Sequence, residues 1–253
     1  MFHLTFFTIG LLFLTGVFAA MVDTVGGGGG LVALPVLLGL GLPPVTAFGT
    51  NKLQSVIGEC VAASQFIKHK HLNFTQIKTG LIFVLIGASA GAILIQFIYP
   101  SVLSKLIPFL LLLVLVYMVL SPKLGKEDIH QRMREPAFYL LFGLGLGFYN
   151  GFFGPGTGSF WIFALMFFLG FNIQKASIRA KPLNTAGNLA SLIWFVIAGK
   201  ILYLPALAMA VGQVLGARIG AHLVISKGSR FIRPVFLVVV SLMTIDLFIK
   251  NFG

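Results

Sequence analysis

The sequence predicts an all-α, polytopic membrane protein with two repeats of inverted topology, each holding a short broken or re-entrant helix after a glycine-rich loop. Two properties carry this prediction: the composition and an internal repeat. Hydrophobic residues make up 58% of the 253 residues and charged residues only 9%, whereas soluble domains carry about 25% charged residues. A soluble globule cannot cover that much apolar surface, but a lipid bilayer can.

Ten apolar segments follow one another along the chain. They cover roughly residues 4–22, 31–43, 53–67, 77–99 and 103–120, then 137–153, 159–171, 182–198, 201–225 and 231–249. A helix needs about 17–25 residues to cross the hydrocarbon, so segments 31–43 and 159–171 are expected to end inside the membrane. The polar stretch 121–136 divides the chain into a first transmembrane repeat, 1–120, a cytoplasmic linker and a second repeat, 137–253.

The two halves share four motifs in the same order. GVFAAMVDTVGG at 16–27 aligns with GLGLGFYNGFFG at 143–154, which places Asp23 over Asn150. After a two-residue gap, GLPPVTAFGTNKL at 41–53 aligns with GFNIQKASIRAKP at 170–182, which places Lys52 over Lys181. IGASAGA at 86–92 then matches VGQVLGA at 211–217, and LSKLIP at 103–108 matches SRFIRP at 229–234. The order of these matches predicts a duplication.

The basic residues predict opposite orientations for the two copies. Each of three equivalent gaps between segments is rich in Lys and Arg in one copy and poor in the other. From first copy to second, the gap between segments two and three holds Lys52 against Lys175, Arg179 and Lys181, and the next gap holds Lys68, Lys70 and Lys78 against Lys200. The last gap holds Lys105 against Lys227, Arg230 and Arg233. Basic loops stay in the cytoplasm, so the copies are expected to be inverted, with both termini periplasmic. Inverted repeats are typical of secondary transporters, whose site lies near the midplane.

The glycine-rich loops are the first candidate site. VDTVGGGGGLVALP at 22–35 and YNGFFGPGTGSFW at 149–161 each precede a short segment, and glycine runs break helices. The free backbone N–H groups at the start of the next half-helix would bind an anion, although close packing by small residues remains the alternative. The residues assigned to this backbone site are Gly26, Gly27, Gly28, Gly29, Gly30, Asn150, Gly154, Gly156, Thr157 and Gly158.

Two polar helix faces are the second candidate site. Lys52, Ser55 and Glu59 share one face of a helix, and Lys181, Asn184 and Asn188 share the equivalent face in the second copy. The lysines would attract an anion, while Asn51, Ser55, Asn184 and Asn188 would donate hydrogen bonds. The alternative is that the lysines snorkel to lipid headgroups.

The two acidic residues near these faces are candidates for proton coupling. Glu59 would carry a proton or form a static ion pair with Lys52. Asp23 would bind a proton or cation, or accept hydrogen bonds from its own loop.

Other residues receive structural interpretations. Gly87 and Gly91, and Gly212, Gly216 and Gly220, have the spacing of close helix contacts. Arg218 is expected to snorkel rather than to reach a cavity.

The composition also excludes several classes of function. The net charge of +12 would suggest nucleic acid for a soluble protein, but here the basic residues lie between apolar segments, so no nucleic-acid partner is expected. The single cysteine excludes a disulfide within the chain, and a lone His69-x-His71 is weak evidence for a metal, so no metal or cofactor is predicted. The HExxH motif and a plausible Ser/His/acid set are missing from the sequence, which disfavours an enzyme and predicts no catalytic residues.

The motifs resemble those of the TauE/SafE sulfite-exporter family, formerly DUF81, in particular its YfcA-like branch. The resemblance extends over about residues 10–245 and is carried by LPVLLGLGLPPVTAFGTNKLQS, GFYNGFFGPGTGSF, AKPLN and GQVLGARIG. It implies a multi-pass inner-membrane permease, usually an exporter, for sulfur-containing anions such as sulfite or sulfonates. The family's paired glycine motifs fall on Gly26–Gly30 and Gly154–Gly158, and its motif lysine on Lys52. Pro182 departs from the apolar residue that the pattern leads us to expect.

These observations together predict a secondary transporter of small sulfur-containing anions in the bacterial inner membrane, with alternating access coupled to protons or to membrane potential. Its expected partners are a small anion and the lipid bilayer, and it is a possible homo-oligomer. The alternatives are a non-transporting membrane scaffold or an intramembrane enzyme.

Overall fold

A computed structural model describes residues 5–69, 75, 77–97, 109, 112, 116 and 125–252, and the side chains beyond residue 227 only in part. This part of the chain consists of helices without strands, which confirms the all-α prediction. The helices are α1 Phe6–Gly26, α2 Gly29–Gly39, α3 Pro44–Lys68, α4 Lys78–Leu94, α5 Glu135–Phe152, α6 Thr157–Leu169, α7 Ile173–Ile197 and α8 Tyr203–Phe252. Apart from residues 109, 112 and 116, the predicted segment 103–120 lies outside the described residues, as do residues 121–124.

The polarity of the bundle is that of a membrane protein. Large apolar side chains such as Phe6, Leu141 and Val211 are exposed, whereas the charged side chains of Lys52 and Glu59 are each only 2% exposed. A soluble protein shows the reverse distribution. By length and composition, two helices in the described ranges could cross a membrane, namely α1 and the Tyr203–Lys227 part of α8.

Both glycine loops break the helical path as predicted. Helix α1 ends at Gly26, and Gly27 takes the left-handed conformation with φ of 75° before α2 begins. In the second half, Gly154 and Gly156 have φ of 95° and 79° ahead of α6. Helices α2 and α6 have 11 and 13 residues, which at 1.5 Å per residue gives about 16–20 Å, short of the roughly 30 Å hydrocarbon core.

Helices α3 and α7 begin about nine residues earlier than the sequence predicts. Pro43 and Pro44 start α3, because a proline in the first turn needs no hydrogen-bonded N–H. Asn172 starts α7, since its side chain accepts from the N–H of Lys175 at 2.9 Å. The polar residues assigned to gaps are therefore helical, and Pro182 lies inside α7.

Helix α8 also differs from the prediction, because predicted segments nine and ten form one continuous helix of 50 residues. The polar residues between the two segments, SKGSR at 226–230, contain no proline and allow the helix to continue. A straight helix of that length would extend about 75 Å, more than twice the hydrocarbon thickness. Pro234, inside α8, is the residue type that bends a helix.

The first helix of each half packs against a helix of the other half, α1 on α8 and α4 on α5. Glycines make both contacts close, since backbone carbonyls of the partner helix fill the space of a Cβ at Gly212 and Gly216 in α8 and at Gly87 and Gly91 in α4. At Gly220 of α8, the side chain of Thr24 of α1 fills that space instead. These contacts confirm the packing interpretation of the glycine spacing.

Helices α3 and α7 cross in opposite directions. Gly49 near the start of α3 lies against Phe195 near the end of α7. The side chain of Thr50 accepts a hydrogen bond from the N–H of Leu202, just beyond α7, at 3.0 Å. This crossing brings the middle of the two helices, with their polar faces, together.

The described part of the linker docks on the start of α7. Asp128 accepts hydrogen bonds from the backbone and side chain of Asn172, at 2.8 and 3.0 Å, and pairs with Lys175. Partial burial alone would raise the pKa of the Asp128 carboxyl, but hydrogen bonds from Lys175 and Asn172 outweigh it and lower the pKa. The linker therefore lies on the same side as the basic start of α7.

Candidate functional site

The ammonium group of Lys52 is buried and donates to three neutral oxygens. Two belong to Asn150 at the end of α5, the backbone carbonyl at 2.6 Å and the side-chain Oδ1 at 2.5 Å. The third is Oδ1 of Asn188 on α7, at 2.8 Å. Because an ammonium has three donors, all of them are used. Lys52 is 2% exposed, so snorkelling does not describe it.

Lys181 of the second half contacts the first half in the way that Lys52 of the first half contacts the second. Its ammonium donates to the backbone carbonyl of Asp23 at 2.8 Å and to the Asp23 carboxylate at 2.5 Å. Asp23 and Asn150 are the aligned positions at the ends of the first helices of the two halves. Each lysine thus holds the end of the first helix of the opposite half. Lys181 is 3% exposed and does not snorkel either.

Glu59 accepts hydrogen bonds from two asparagines of α7. Asn184 donates to Oε1 at 2.5 Å, and Asn188 donates to both carboxylate oxygens at 2.9 Å. The direct Lys52–Glu59 ion pair considered from the sequence does not form. Instead, the amide of Asn188 lies between the two charges, accepting from Lys52 and donating to Glu59.

A further hydrogen bond closes these residues into a polar ring. Asn150 Nδ2 donates to Oδ1 of Asn184 at 2.9 Å, so the ring comprises Lys52, Asn150, Asn184, Glu59 and Asn188. Lys52 can only donate and an ionised Glu59 can only accept. The hydrogen bonds therefore run along both sides of the ring from Lys52 to Glu59, and this direction fixes the orientation of all three amides.

The two glycine bends are in contact beside this ring. Ser159 at the start of α6 donates its hydroxyl to the carbonyl of Gly26 at 2.6 Å and its backbone N–H to the carbonyl of Gly27 at 3.2 Å. Gly158 lies against Gly27 so closely that neither has room for a Cβ. Helices α2 and α6 therefore begin at the same place.

A small pocket lies where the bends meet the ring, with a cavity volume of about 10 Å³, which is room for about one water molecule. It is lined by Asp23, Gly27, Gly30, Asn51, Lys52, Ser55, Glu59, Gly154, Gly156, Gly158, Asn184 and Asn188. All twelve were assigned to the site or to proton coupling from the sequence.

Backbone N–H groups contribute to this lining. Among the described contacts, the N–H groups of Gly30, Gly156 and Gly158 donate to no protein acceptor. The N–H groups in the first turn of a helix have no acceptor within the helix, and the helix dipole adds partial positive charge there. Two such helix starts meet at one pocket, which is an arrangement that attracts negative charge.

The remaining predicted residues support the lining. Gly26 accepts from Ser159, Gly28 precedes α2, and Gly29 donates its N–H to the Asp23 carboxylate at 3.2 Å. The hydroxyl of Thr157 donates a hydrogen bond to the carbonyl of Gly154 at 2.6 Å. Asn150 and Lys181 position the ends of α5 and α1. Arg218 is exposed on α8, away from the pocket.

Sequence reasoning missed two glutamines behind the pocket. Gln54 donates to Oδ1 of Asn51 at 2.7 Å, and Gln213 on α8 donates to Gln54. Gln213 is a single polar residue within an apolar run and aligns with Ala88 in the first copy, and this difference could have revealed it. Within the described ranges, no three His, Cys, Asp or Glu side chains cluster as a metal site would require.

Comparison with known proteins gives the family. The sequence profile of the family described as "Sulfite exporter TauE/SafE" matches residues 12–247. The chain is 39% identical to "Probable membrane transporter protein YfcA" of Escherichia coli K12 over 245 residues, which cover 97% of this chain and 91% of that protein.

Two further relatives are also described as probable membrane transporters. The chain is 43% identical to a "Probable membrane transporter protein" of Haemophilus influenzae, over 93% of this chain and 92% of that protein. It is 34% identical to "Probable membrane transporter protein ORF9" of Sinorhizobium sp, over 93% and 90%. No solved structure matches the chain. A match over nearly the whole chain, together with relatives that align over about nine tenths of their own length, shows that the chain belongs to the TauE/SafE sulfite-exporter family of membrane transporters.

Proposed function

We propose that this chain is an inner-membrane secondary transporter that exports small sulfur-containing anions, such as sulfite or organosulfonates, by alternating access at a site between two inverted repeats. The observation that carries the proposal is the meeting of two half-helix N-termini and the buried ammonium of Lys52 in one pocket. We assign the chain no reaction chemistry of its own.

The charge of the pocket supports an anionic substrate. Buried cations and convergent N–H groups stabilise negative charge more strongly in a low-dielectric site than in water. The cavity volume of about 10 Å³ leaves room for about one water molecule, so the helices that line the pocket must move apart before a solute enters, as alternating access requires. The sulfur chemistry and the outward direction rest on the family's description as a sulfite exporter.

The contacts between the halves support two copies related by a two-fold axis. Lys52 contacts Asn150 as Lys181 contacts Asp23, and such reciprocity is the property of a two-fold interface. Helices α3 and α7, equivalent by alignment, run in opposite directions where they cross, as inverted copies would. We propose repeats at 1–120 and 137–253 joined by the linker 121–136.

The loop contacts support the proposed orientation. The linker lies against Lys175 and Asn172, so two regions assigned to the cytoplasm are on one side. Lys200 lies against Gly49, and these belong to the two gaps assigned to the periplasm. The N-terminus would then be periplasmic. For the C-terminus to be periplasmic as well, α8 must turn back towards that side near Pro234, the residue type that bends a helix.

The polar ring supports Glu59 as the proton carrier. A neutral Glu59 carries a proton that must be donated, and Asn184 and Asn188 already donate to it. A proton on Glu59 competes with these amides for the carboxylate oxygens, so protonation would weaken the hydrogen bonds from Asn188, whose Oδ1 accepts from Lys52. Asp23 is instead held in an ion pair with Lys181 and bonded to Gly29, so we assign it a structural role. Coupling to membrane potential alone is the alternative.

A flux panel tests the proposed function. The purified protein is reconstituted into liposomes loaded in turn with sulfite, thiosulfate, sulfoacetate and sulfate. Efflux is compared with that from empty liposomes, meaning liposomes that hold the same anion but contain no protein. We expect efflux of at least one sulfur-containing anion above the empty-liposome rate. Rates equal to those of empty liposomes for all four anions, from protein that elutes as a folded species, would contradict the proposal.

A further inference from the structure

The two equivalent lysines of the site differ in their partners, because Lys181 pairs with a carboxylate and Lys52 does not. The described residues form three ion pairs, Lys175–Asp128, Arg179–Glu135 and Lys181–Asp23, and Lys52 is in none of them. Its direct partners are amide and carbonyl oxygens. Buried charges are normally paired with an opposite charge, and the nearest carboxylate, that of Glu59, is separated from Lys52 by the amide of Asn188.

The equivalent position in the other half already holds an anion. The Asp23 carboxylate bonds to Lys181 with one oxygen and to the N–H of Gly29 at the start of α2 with the other, at 2.5 and 3.2 Å. We name Asp23, Lys181 and Gly29 the first half-site. A carboxylate held by an ammonium and a helix N-terminus is the arrangement expected of a bound anion.

The second half-site has the same parts without the anion. It comprises Asn150, Lys52 and the start of α6 at Gly156 and Gly158, whose N–H groups donate to no described protein acceptor. The Asn150 Oδ1 lies 2.5 Å from the Lys52 ammonium, in the role that the Asp23 carboxylate oxygen plays beside Lys181. It is a neutral acceptor where the first half has a charged one.

Resting on the proposed function, we propose that the anionic group of the substrate binds in the second half-site, where it replaces the Oδ1 of Asn150 on Lys52 and receives N–H groups from the start of α6. The Asp23 carboxylate occupies the first half-site permanently, so the duplicated site takes one substrate anion and not two. An anionic oxygen forms a stronger hydrogen bond to an ammonium than an amide oxygen does, which favours the exchange.

A charge exchange between the half-sites tests this assignment. The probe is equilibrium binding of sulfite, thiosulfate, sulfoacetate and sulfate to the purified full-length protein. Asn150→Asp places a fixed carboxylate beside Lys52 at almost unchanged volume, and we expect at least tenfold weaker binding of the substrate anion. The matched variant Asn150→Ala removes the amide without adding charge, and it should bind the anion at least threefold more tightly than Asn150→Asp does.

The double variant Asp23→Asn with Asn150→Asp separates charge from misfolding. It keeps the number of carboxylates and moves the vacant half-site to Lys181, so binding should recover to within tenfold of wild type even if Asn150→Asp alone does not fold. Three results would overturn the assignment: Asn150→Asp binding like wild type, Asn150→Ala losing as much affinity as Asn150→Asp, or a folded double variant that does not bind. Failure of wild type to bind any of the four anions would instead contradict the proposed function.

Discussion

The contact between the two glycine bends yields a quantitative prediction for Gly158→Ala. The added Cβ would lie 2.5 Å from the Cα of Gly27, whereas ordinary contacts begin near 3.4 Å, so the bends must separate by about 0.9 Å. The hydrogen bond from the Ser159 N–H to Gly27, now 3.2 Å, would be broken, and the bond from its hydroxyl to Gly26, now 2.6 Å, would be stretched to the limit of a hydrogen bond.

The expected cost follows from these distances. Two weakened hydrogen bonds contribute about 1 kcal/mol each, and overpacking contributes about 1–3 kcal/mol. The higher helix propensity of alanine offsets about 0.5–1 kcal/mol. Gly158→Ala should therefore destabilise the protein by about 2–4 kcal/mol, which corresponds to a melting temperature lower by about 5–15 °C.

Thermal unfolding in detergent and anion flux in liposomes measure this effect. The matched control is Gly145→Ala in α5, where a Cβ meets nothing within 4 Å and the change should stabilise the helix by about 0.5–1 kcal/mol. A Gly158→Ala protein that melts and transports like Gly145→Ala would show that the bends do not touch and would refute the geometry of the site.

Three further predictions concern the proton carrier, the contact of the linker with α7 and the orientation of the termini. Glu59→Gln should remove the pH dependence of flux, because Glu59 is the one acid in the polar ring, and a pH profile equal to that of wild type would exclude it as the proton carrier. Asp128→Asn should lower stability by no more than about 1 kcal/mol at neutral pH, since the Lys175 pair is exposed. Because the pKa of Asp128 is lowered from 3.8, that difference should be present above about pH 4 and disappear as the pH falls through the lowered pKa; a constant difference would contradict the role of the charge. Accessibility tags on the two termini should both react from the periplasm, and a cytoplasmic signal from either would refute the orientation.

The features of local sequence were predicted correctly. Runs of glycine at 26–30 and 154–158 break helices wherever they occur, so the short α2 and α6 followed directly from the sequence. Helical periodicity placed Lys52, Ser55 and Glu59 on one face, and the alignment paired Asp23 with Asn150, although it did not predict that the lysines contact these two residues. These results depend on spacings within one helix or on comparison of the two halves.

The features that the sequence did not give depend on contacts between distant helices. Lys52 reaches Asn150, 98 residues away, and no local pattern specifies that partner. Lys52 and Glu59 are seven residues apart, about 10.5 Å along a helix, which leaves room for Asn188 of α7 to separate them. The early starts of α3 and α7 were missed because hydropathy falls at polar residues in the first three turns, such as Asn51, Lys52 and Lys181, although these are buried in the structure.

The most direct test of the central claim compares the flux of the substrate anion in two single variants, Lys52→Ala and Lys200→Ala. Lys52→Ala removes the ammonium at the meeting point of the bends, whereas Lys200→Ala removes an exposed lysine outside the pocket. In proteoliposomes with equal amounts of folded protein, we predict that Lys52→Ala reduces flux of the sulfur-containing anion at least a hundredfold, while Lys200→Ala stays within about twofold of wild type. Equal flux through both variants would contradict the claim that the anion is held at Lys52.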